Sequence, residues 1–201
     1  MTGFAAVVLT GGAARRLGGV DKPGVAVGGR PMRDRVLAAV ADAAPRIVVG
    51  PDTTPVPAGA LVVREEPAGG GPVAATAAGL TLLPPESTTV ALLAGDLPLL
   101  TSTAVGELRR ALAADATADG VCYVDTDGRR QQLCGVWRVP SLRAAVDRLA
   151  DERGGSLAGA SIRALLAGLM VSELWWSGTG APPWFDCDTD DDVRRAEEWM
   201  R

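Results

Sequence analysis

The sequence has 201 residues, of which 47% are hydrophobic and only 4% aromatic, so it can form one large domain with a core of alanine, valine and leucine. Its net charge of −4 and its pI near 4.9 argue against nonspecific nucleic-acid binding through bulk charge. Histidine is absent, which excludes histidine metal sites, histidine acid–base catalysis and Ser-His-Asp triads.

The cysteines and the apolar stretches indicate a compartment. The chain has three cysteines, Cys122, Cys134 and Cys187. The odd number and the absence of a CxxC spacing argue against a disulfide framework or a structural zinc site. Asp96 interrupts the longest apolar stretch, so we predict no membrane-spanning segment. The chain begins without a basic leader or a cleavage site. Together these features predict a reduced, cytoplasmic protein.

The first apolar run, over 4–9, predicts a buried strand that opens into a glycine-rich, basic loop over 9–22. Gly11 and Gly12 allow backbone N–H groups to approach an anion. The basic residues of the loop are Arg15, Arg16 and Lys22. Neither the P-loop pattern nor the dinucleotide-binding pattern is present. The loop is therefore either a phosphate-binding loop of another kind, which we favour, or an ordinary surface loop.

Short apolar runs and helical periodicity alternate along the rest of the chain. Strands are predicted at 24–27, 46–49, 60–63, 89–94, 121–124, 133–137 and 170–174. Helices are predicted at 31–43, from Pro72 to Leu80, at 102–115, from Pro140 onward, at 162–169, and after a Thr189–Asp192 capping box. This alternation predicts a single domain over 1–201, a three-layer α/β/α sandwich with a largely parallel sheet and 89–94 at its centre.

Two acidic residues, Asp96 and Asp188, lie at positions where a functional role is expected. Asp96 follows the most apolar predicted strand, at the edge where open α/β sheets bind ligands. Asp188 precedes the acids at 190–192, which the dipole of the last helix explains, so Asp188 itself needs another role. Two carboxylates can share one Mg²⁺, whose coordination substrate phosphates complete.

Two further features each have two interpretations. The glycines at 69–71 stand before Pro72 at a predicted helix start, where they form either a plain turn or a pocket in which a flat base lies against the backbone. We favour the pocket. Three tryptophans, Trp175, Trp176 and Trp184, either stack on a flat ligand ring or pack under a loop, and we favour packing.

The loop over 9–22, with its doubled arginine and its Gly-Gly-Val-Asp-Lys ending, resembles the signature loop of the molybdenum cofactor guanylyltransferase (MobA-like) branch of the nucleotidyltransferases. Gly-Pro-Val-Ala-Ala at 71–75, Asp-Leu-Pro at 96–98 and Asp-Cys-Asp-Thr at 186–189 extend the resemblance over most of the chain. It implies a Rossmann-like nucleotidyltransferase fold with a mostly parallel mixed sheet.

The resemblance also implies a reaction and the residues for it. The reaction is Mg²⁺-dependent transfer of GMP from GTP, or of another nucleotide, to a phosphorylated acceptor, molybdopterin carrying molybdenum, with release of pyrophosphate. The implied catalytic residues are Lys22 and Arg16, and the implied metal ligands are Asp96 and Asp188. The implied nucleotide-binding residues are Leu9, Thr10, Gly11, Gly12, Arg15, Lys22, Glu65, Gly71 and Asp96. We expect a monomer or weak homo-oligomer without nucleic-acid or membrane partners.

The sequence departs from the family pattern in three places. Arg-Glu-Glu-Pro at 64–67 replaces Arg-Asp-Glu-Pro, so that Glu65 stands at the position of a nucleotide-binding aspartate. Gly50 stands where some relatives have a nucleotide-contacting asparagine. Gln-Leu at 132–133 replaces the usual His-Pro or Gln-Pro near the acceptor. These changes affect the predicted contacts to the nucleotide and the acceptor.

The absence of histidine suits nucleotidyl transfer, because an ionised phosphate monoester attacks without a general base and the reaction depends on alignment and charge neutralisation. The alternatives are a cytidylyltransferase of the sister branch, a sugar-1-phosphate nucleotidyltransferase, a nucleotide-binding regulatory module and an α/β scaffold without a ligand. The two enzyme alternatives share the signature loop and both acids, and differ only in the base and acceptor pockets. A regulatory module predicts the loss of Lys22 or of an acid, and all are present.

Overall fold

The computed structural model of the chain describes residues 3–11, 22–51, 54–176 and 180–201. The strands in this part of the chain are β1 (Phe4–Leu9), β2 (Ala26–Val27), β3 (Arg30–Pro31), β4 (Arg46–Val49), β5 (Ala60–Val63), β6 (Thr89–Ala94), β7 (Gly120–Val124), β8 (Arg130–Arg138) and β9 (Val171–Trp175). The α-helices are α1 (Met32–Ala39), α2 (Pro72–Thr81), α3 (Ser102–Ala114), α4 (Val139–Glu152), α5 (Ile162–Leu165) and α6 (Asp190–Trp199).

Seven of the strands form one sheet in the order β5-β4-β1-β6-β8-β7-β9, and β2 pairs with β3 in a small separate hairpin. Each neighbouring pair in the large sheet is parallel, except that β8 runs antiparallel to both β6 and β7. β6 is the central strand, as its uniformly apolar sequence predicts. The mostly parallel mixed sheet is therefore confirmed.

β1 shows why the fold has three layers. Its alternate side chains from Phe4 to Val8 face a core that α1 and α3 cover. Those from Ala5 to Leu9 face a second core, which α2, α4 and α5 cover. Because both faces of the strand are buried, its sequence is continuously apolar rather than alternating. The α/β/α sandwich is confirmed.

Two predicted helices are shorter than their apolar periodicity indicated. The helix predicted over 31–43 spans Met32–Ala39, with Pro31 in β3. Val40 and Ala43 are still buried, although both lie beyond the end of the helix. The helix predicted over 162–169 is the single turn α5, after which the chain continues in turns to Gly168, whose φ is +133°.

The tryptophan prediction is confirmed for two of the three side chains. Trp176 and Trp184 pack against Tyr123, with ring centroids 5.8 Å and 5.2 Å from that of the tyrosine. Both indoles are partly buried and pack against the core that α1 and α3 cover. Trp175, in contrast, is 57% exposed. No helix in the described ranges is both long and apolar enough to cross a membrane.

Candidate active site

A lysine and two carboxylates meet at the carboxyl end of the central strands. Lys22 Nζ donates hydrogen bonds to Asp96 Oδ2 and, over 2.7 Å, to Asp188 Oδ1. The side chains of Lys22 and Asp96 are largely buried, at 16% and 20% exposure, whereas that of Asp188 is 52% exposed. The structure thus brings together the two acids that the sequence paired, although 92 positions separate them (188 − 96). We call these three residues the charged cluster.

Asp96 reaches the cluster because β6 lies beside β1. Its neighbour Gly95 donates its N–H to the Leu9 carbonyl over 2.9 Å, which extends the parallel pairing by one residue past the strand. A Cβ at Gly95 would lie 3.1 Å from the Leu9 oxygen and 3.3 Å from the Pro23 Cβ. The segment after Lys22 therefore packs closely on the end of β6, where a larger residue would displace its neighbours.

Asp188 reaches the cluster through its backbone. The Cys187 N–H donates to the Asp96 carbonyl oxygen over 3.3 Å, which ties this segment to the end of β6. Asp192 Oδ2 accepts from the Asp188 N–H at 3.1 Å and from the Thr189 hydroxyl at 2.7 Å. The capping box predicted at Thr189 is present, and it also orients the metal-ligand candidate just before it.

The cluster shifts the pKa values of its members and neighbours. Desolvation lowers the pKa of Lys22, but hydrogen bonds to Asp188 and Asp96 and their negative charge outweigh it and raise that pKa above 10.5. The pKa of Asp186 is raised by loss of solvent around its carboxylate and then by the charges of Asp96 and Asp188. Lys22 is therefore a permanent cation at neutral pH, and Asp186 is a third acid close to the cluster.

The two carboxylates fit a magnesium ion that a nucleotide accompanies. Mg²⁺ prefers hard oxygen ligands and is commonly held by one or two carboxylates together with substrate phosphates. Asp96 and Asp188 both contact one ammonium nitrogen, so their oxygens face a common point that a cation occupies. Among the residues described here, no group of three or more acidic or cysteine side chains is arranged to hold a metal without such a substrate.

A second part of the candidate site lies at the same carboxyl edge of the sheet, which we call the rim. It consists of Glu65 and of residues 69–71, which we call the glycine turn. Glu65 is only 7% exposed, and its Oε1 accepts from the Gly69 N–H at 3.0 Å. The same oxygen would lie 3.3 Å from a Cβ at Gly11, the residue two positions after β1. Gly71 has a φ of +91° and caps the N-terminus of α2, and its N–H has no acceptor within the described ranges.

The structure assigns new roles to the residues at the end of β1. Leu9 is buried, and its carbonyl oxygen is used by Gly95. The Thr10 hydroxyl is also buried and donates to the Val49 carbonyl oxygen at 2.9 Å, and the Thr10 N–H donates to the same oxygen at 2.9 Å, so both donors of Thr10 are used within the fold. A Cβ at Gly50 would lie 2.3 Å from that hydroxyl oxygen. Thr10 thus fills the space in which a longer side chain at position 50 would begin.

Three predicted site residues, Gly12, Arg15 and Arg16, lie outside the described residues. Asp186, in the motif at 186–189, and Asp192, in the predicted capping box, were both visible in the sequence, but neither was predicted to contribute to the site. A further signal was present in the composition: Lys22 is the only lysine in the chain, and every other basic residue is arginine. Because a compact ammonium and a planar guanidinium serve different purposes, this single lysine marks a position of special chemistry.

Solved structures with this fold include enzymes of nucleotide transfer. Molybdopterin-guanine dinucleotide biosynthesis protein A from Archaeoglobus fulgidus has a TM-score of 0.71 and 20% identity, with 96% of this chain and 97% of that chain covered. The 2-C-methyl-D-erythritol 4-phosphate cytidylyltransferase from Thermus thermophilus has the same TM-score, identity and coverages. At these identities the likeness shows the fold alone.

The sequence match identifies the class of this protein as that of the nucleotidyltransferases. The chain belongs to the family of the MobA-like NTP transferase domain, whose sequence pattern matches residues 6–169. A similar protein is the molybdenum cofactor guanylyltransferase of Bradyrhizobium sp. (strain ORS 278), which is 27% identical over 206 residues, or 98% of this chain and 92% of the relative.

Proposed function

We propose that the protein transfers GMP from GTP to the terminal phosphate of molybdopterin carrying molybdenum, with Lys22 as the catalytic cation. The observation that carries this proposal is the charged cluster, in which two carboxylates contact one ammonium at the ligand-binding edge of the sheet. The guanylyltransferase name of the Bradyrhizobium relative supports the choice of donor and acceptor.

In the proposed reaction, an oxygen of the acceptor phosphate forms a bond to the α-phosphorus of GTP. The bond between that phosphorus and the oxygen bridging to the β-phosphate breaks, and pyrophosphate leaves with the electron pair. The attacking oxygen is already ionised at neutral pH, so no side chain has to remove a proton. The Lys22 ammonium, held in its protonated form, stabilises the negative charge that grows on the transferring phosphate oxygens.

Asp96 and Asp188 would hold Mg²⁺, which when bound neutralises phosphate charge as a Lewis acid. The two ligands differ in rigidity. Asp96 is largely buried at the end of a central strand, whereas the more exposed Asp188 is oriented by the capping interactions of α6. We infer that Asp96 provides the fixed ligand and that Asp188 completes the pair around the metal–nucleotide complex.

We infer the preference for guanine from Glu65 and the Gly71 N–H. The Watson–Crick edge of guanine presents one acceptor, O6, beside two donors, N1–H and the N2 amine. A buried carboxylate accepts from the donors, and a free N–H at a helix N-terminus donates to the acceptor. Cytosine presents one donor beside two acceptors, N3 and O2, and would place a lone pair against the carboxylate.

The test is a thermal-shift panel of GTP, CTP, ATP, UTP and dTTP, each with Mg²⁺. We expect the largest increase in Tm with GTP, because a ligand that binds only the folded state stabilises it in proportion to the logarithm of its affinity. A larger shift with CTP would move the assignment to the cytidylyltransferase branch. Pyrophosphate release that needs a sugar 1-phosphate rather than molybdopterin would reassign the acceptor.

A further inference from the structure

The loop that follows α4 contacts the glycine turn. We call residues 154–159 the bracing loop. Its last residue, Gly159, donates its N–H to the Gly70 carbonyl oxygen over 2.8 Å. Gly71 lies beside the same group, since a Cβ built on it would be 4.0 Å from the Gly159 nitrogen. The bracing loop therefore supports the glycine turn at Gly70, while Glu65 holds it at Gly69.

Arg153 determines the shape of the bracing loop. Its Nε donates to the Ser156 carbonyl oxygen at 3.0 Å, and its terminal nitrogen donates to the Ala158 carbonyl oxygen at 2.8 Å. One planar guanidinium thus fixes two backbone positions just before the Gly159 contact. The preceding helix ends in a left-handed turn at Gly154 and Gly155, with φ of +65° and +91°, which directs the chain back toward Arg153.

We propose that Arg153 is a positioning residue for the nucleotide base, acting through the bracing loop on the glycine turn. This inference rests on the proposed function, in which the base lies against that turn. The Gly70 carbonyl fixed by Gly159 belongs to the peptide unit whose N–H is that of Gly71, the group proposed to bind guanine O6. A loosened bracing loop lets this N–H rotate away from the base, so Arg153 affects binding and selectivity but not the chemical step at the charged cluster.

The test compares Arg153→Met with the matched control Arg148→Met. Both arginines lie near the end of α4 and donate to backbone carbonyls, but Arg148 contacts Glu152 and Leu165 rather than the bracing loop. We expect Arg153→Met to weaken GTP binding, measured calorimetrically without acceptor, about three- to tenfold, the value of about one hydrogen bond. The preference for GTP over CTP should fall, kcat should stay within about twofold, and Arg148→Met should leave all three unchanged.

Two more readouts separate positioning from general stabilisation. Exchange of the amide hydrogens at 68–71 should become faster in Arg153→Met and stay unchanged in Arg148→Met. Arg153→Lys should restore part of the GTP affinity, since an ammonium still donates to a carbonyl. A variant Arg153→Met with a lower Tm but wild-type GTP affinity, or with a lower kcat at unchanged KM, would overturn the proposal.

Failure of this inference can be told apart from failure of the proposed function by Glu65→Gln. If Glu65→Gln loses GTP selectivity while Arg153→Met keeps it, the bracing loop has no role and the base pocket stands. If both variants bind GTP like the wild type, the base does not lie at the glycine turn, and the guanine pocket is refuted together with the role of Arg153.

Discussion

Two parts of the rim achieve their geometry in different ways. In the charged cluster, Lys22 contacts Asp96, which is 74 positions away in sequence, and Asp188, which is 166 positions away. These contacts are between charged side chains. In the glycine turn, Glu65 meets Gly69 across four positions, and backbone groups do most of the contacting. The cluster therefore depends on the order of strands in the sheet, whereas the turn depends on local backbone conformation and on the bracing loop.

The difference separates the expected kinetic effects of the two parts. Charge placed where the phosphates react acts on the transition state, so changes in the cluster should appear mainly in kcat. Backbone groups that recognise the base act equally on ground and transition states, so changes near the turn should appear mainly in KM. The following experiments test this division, from the largest expected effect to the smallest.

Lys22→Ala should lower kcat about 100- to 1,000-fold, because it removes a preorganised cation from the reacting phosphates. Pyrophosphate release measures the rate, and circular dichroism checks that the fold persists. GTP affinity should change far less than kcat. A rate close to that of the wild type would show that Lys22 is only a solvated side chain and would remove the cluster from catalysis.

Asp96→Asn and Asp188→Asn should each lower Mg²⁺-dependent kcat by about tenfold or more, with the larger loss at the more buried Asp96. The double variant should lose less than the product of the two factors, since the residues act as one unit. Asp190→Asn is the matched control, an exposed acid in the first turn of α6. Independent effects of the two substitutions would mean that they do not share a metal.

Glu65→Gln should raise the KM for GTP about tenfold while changing kcat little. The amide still accepts from the Gly69 N–H, but it offers one acceptor in place of two to the guanine donors, and a hydrogen bond to a charged group contributes about 1.5–3 kcal/mol. The KM for CTP should change less. An equal loss with both nucleotides would show that Glu65 supports the turn without reading the base.

The smallest expected effect is that of pH on Lys22. Its pKa is raised in the folded state, so its contribution to stability is complete below 10.5 and is lost only as the pH rises through the higher folded value. Lys22 should therefore cause no alkaline decrease in kcat between pH 7 and about pH 9.5. Because the chain has one lysine, reductive ¹³C-methylation labels only that side chain and the N-terminus. Titration of the lysine NMR signal then measures the pKa of Lys22 directly. A midpoint below 10.5 would contradict the paired geometry.

The sequence by itself determined the layers of the fold and one end of the candidate site. Continuous apolar runs such as Phe4–Leu9 predict strands buried on both faces, and the acid at the end of the central run predicts a ligand at the carboxyl edge. The Thr189–Asp192 capping box was also predicted from the sequence, because the residues that begin a helix lie within four positions of one another. For the helix predicted over 31–43, the spacing of the buried residues overestimated the length, since the helix ends at Ala39.

Only the tertiary structure decided how distant groups meet. The family resemblance implied the pairing of Asp96 with Asp188, but the contacts that achieve it, the Cys187–Asp96 backbone bond and, for Lys22, the packing of Pro23 on Gly95, are encoded by no local pattern. The same holds for Thr10, which fills the space beside Gly50, and for Arg153, which braces a loop against the glycine turn. Local patterns record the conformation of a few neighbouring residues, whereas these contacts depend on the order in which the strands pack side by side.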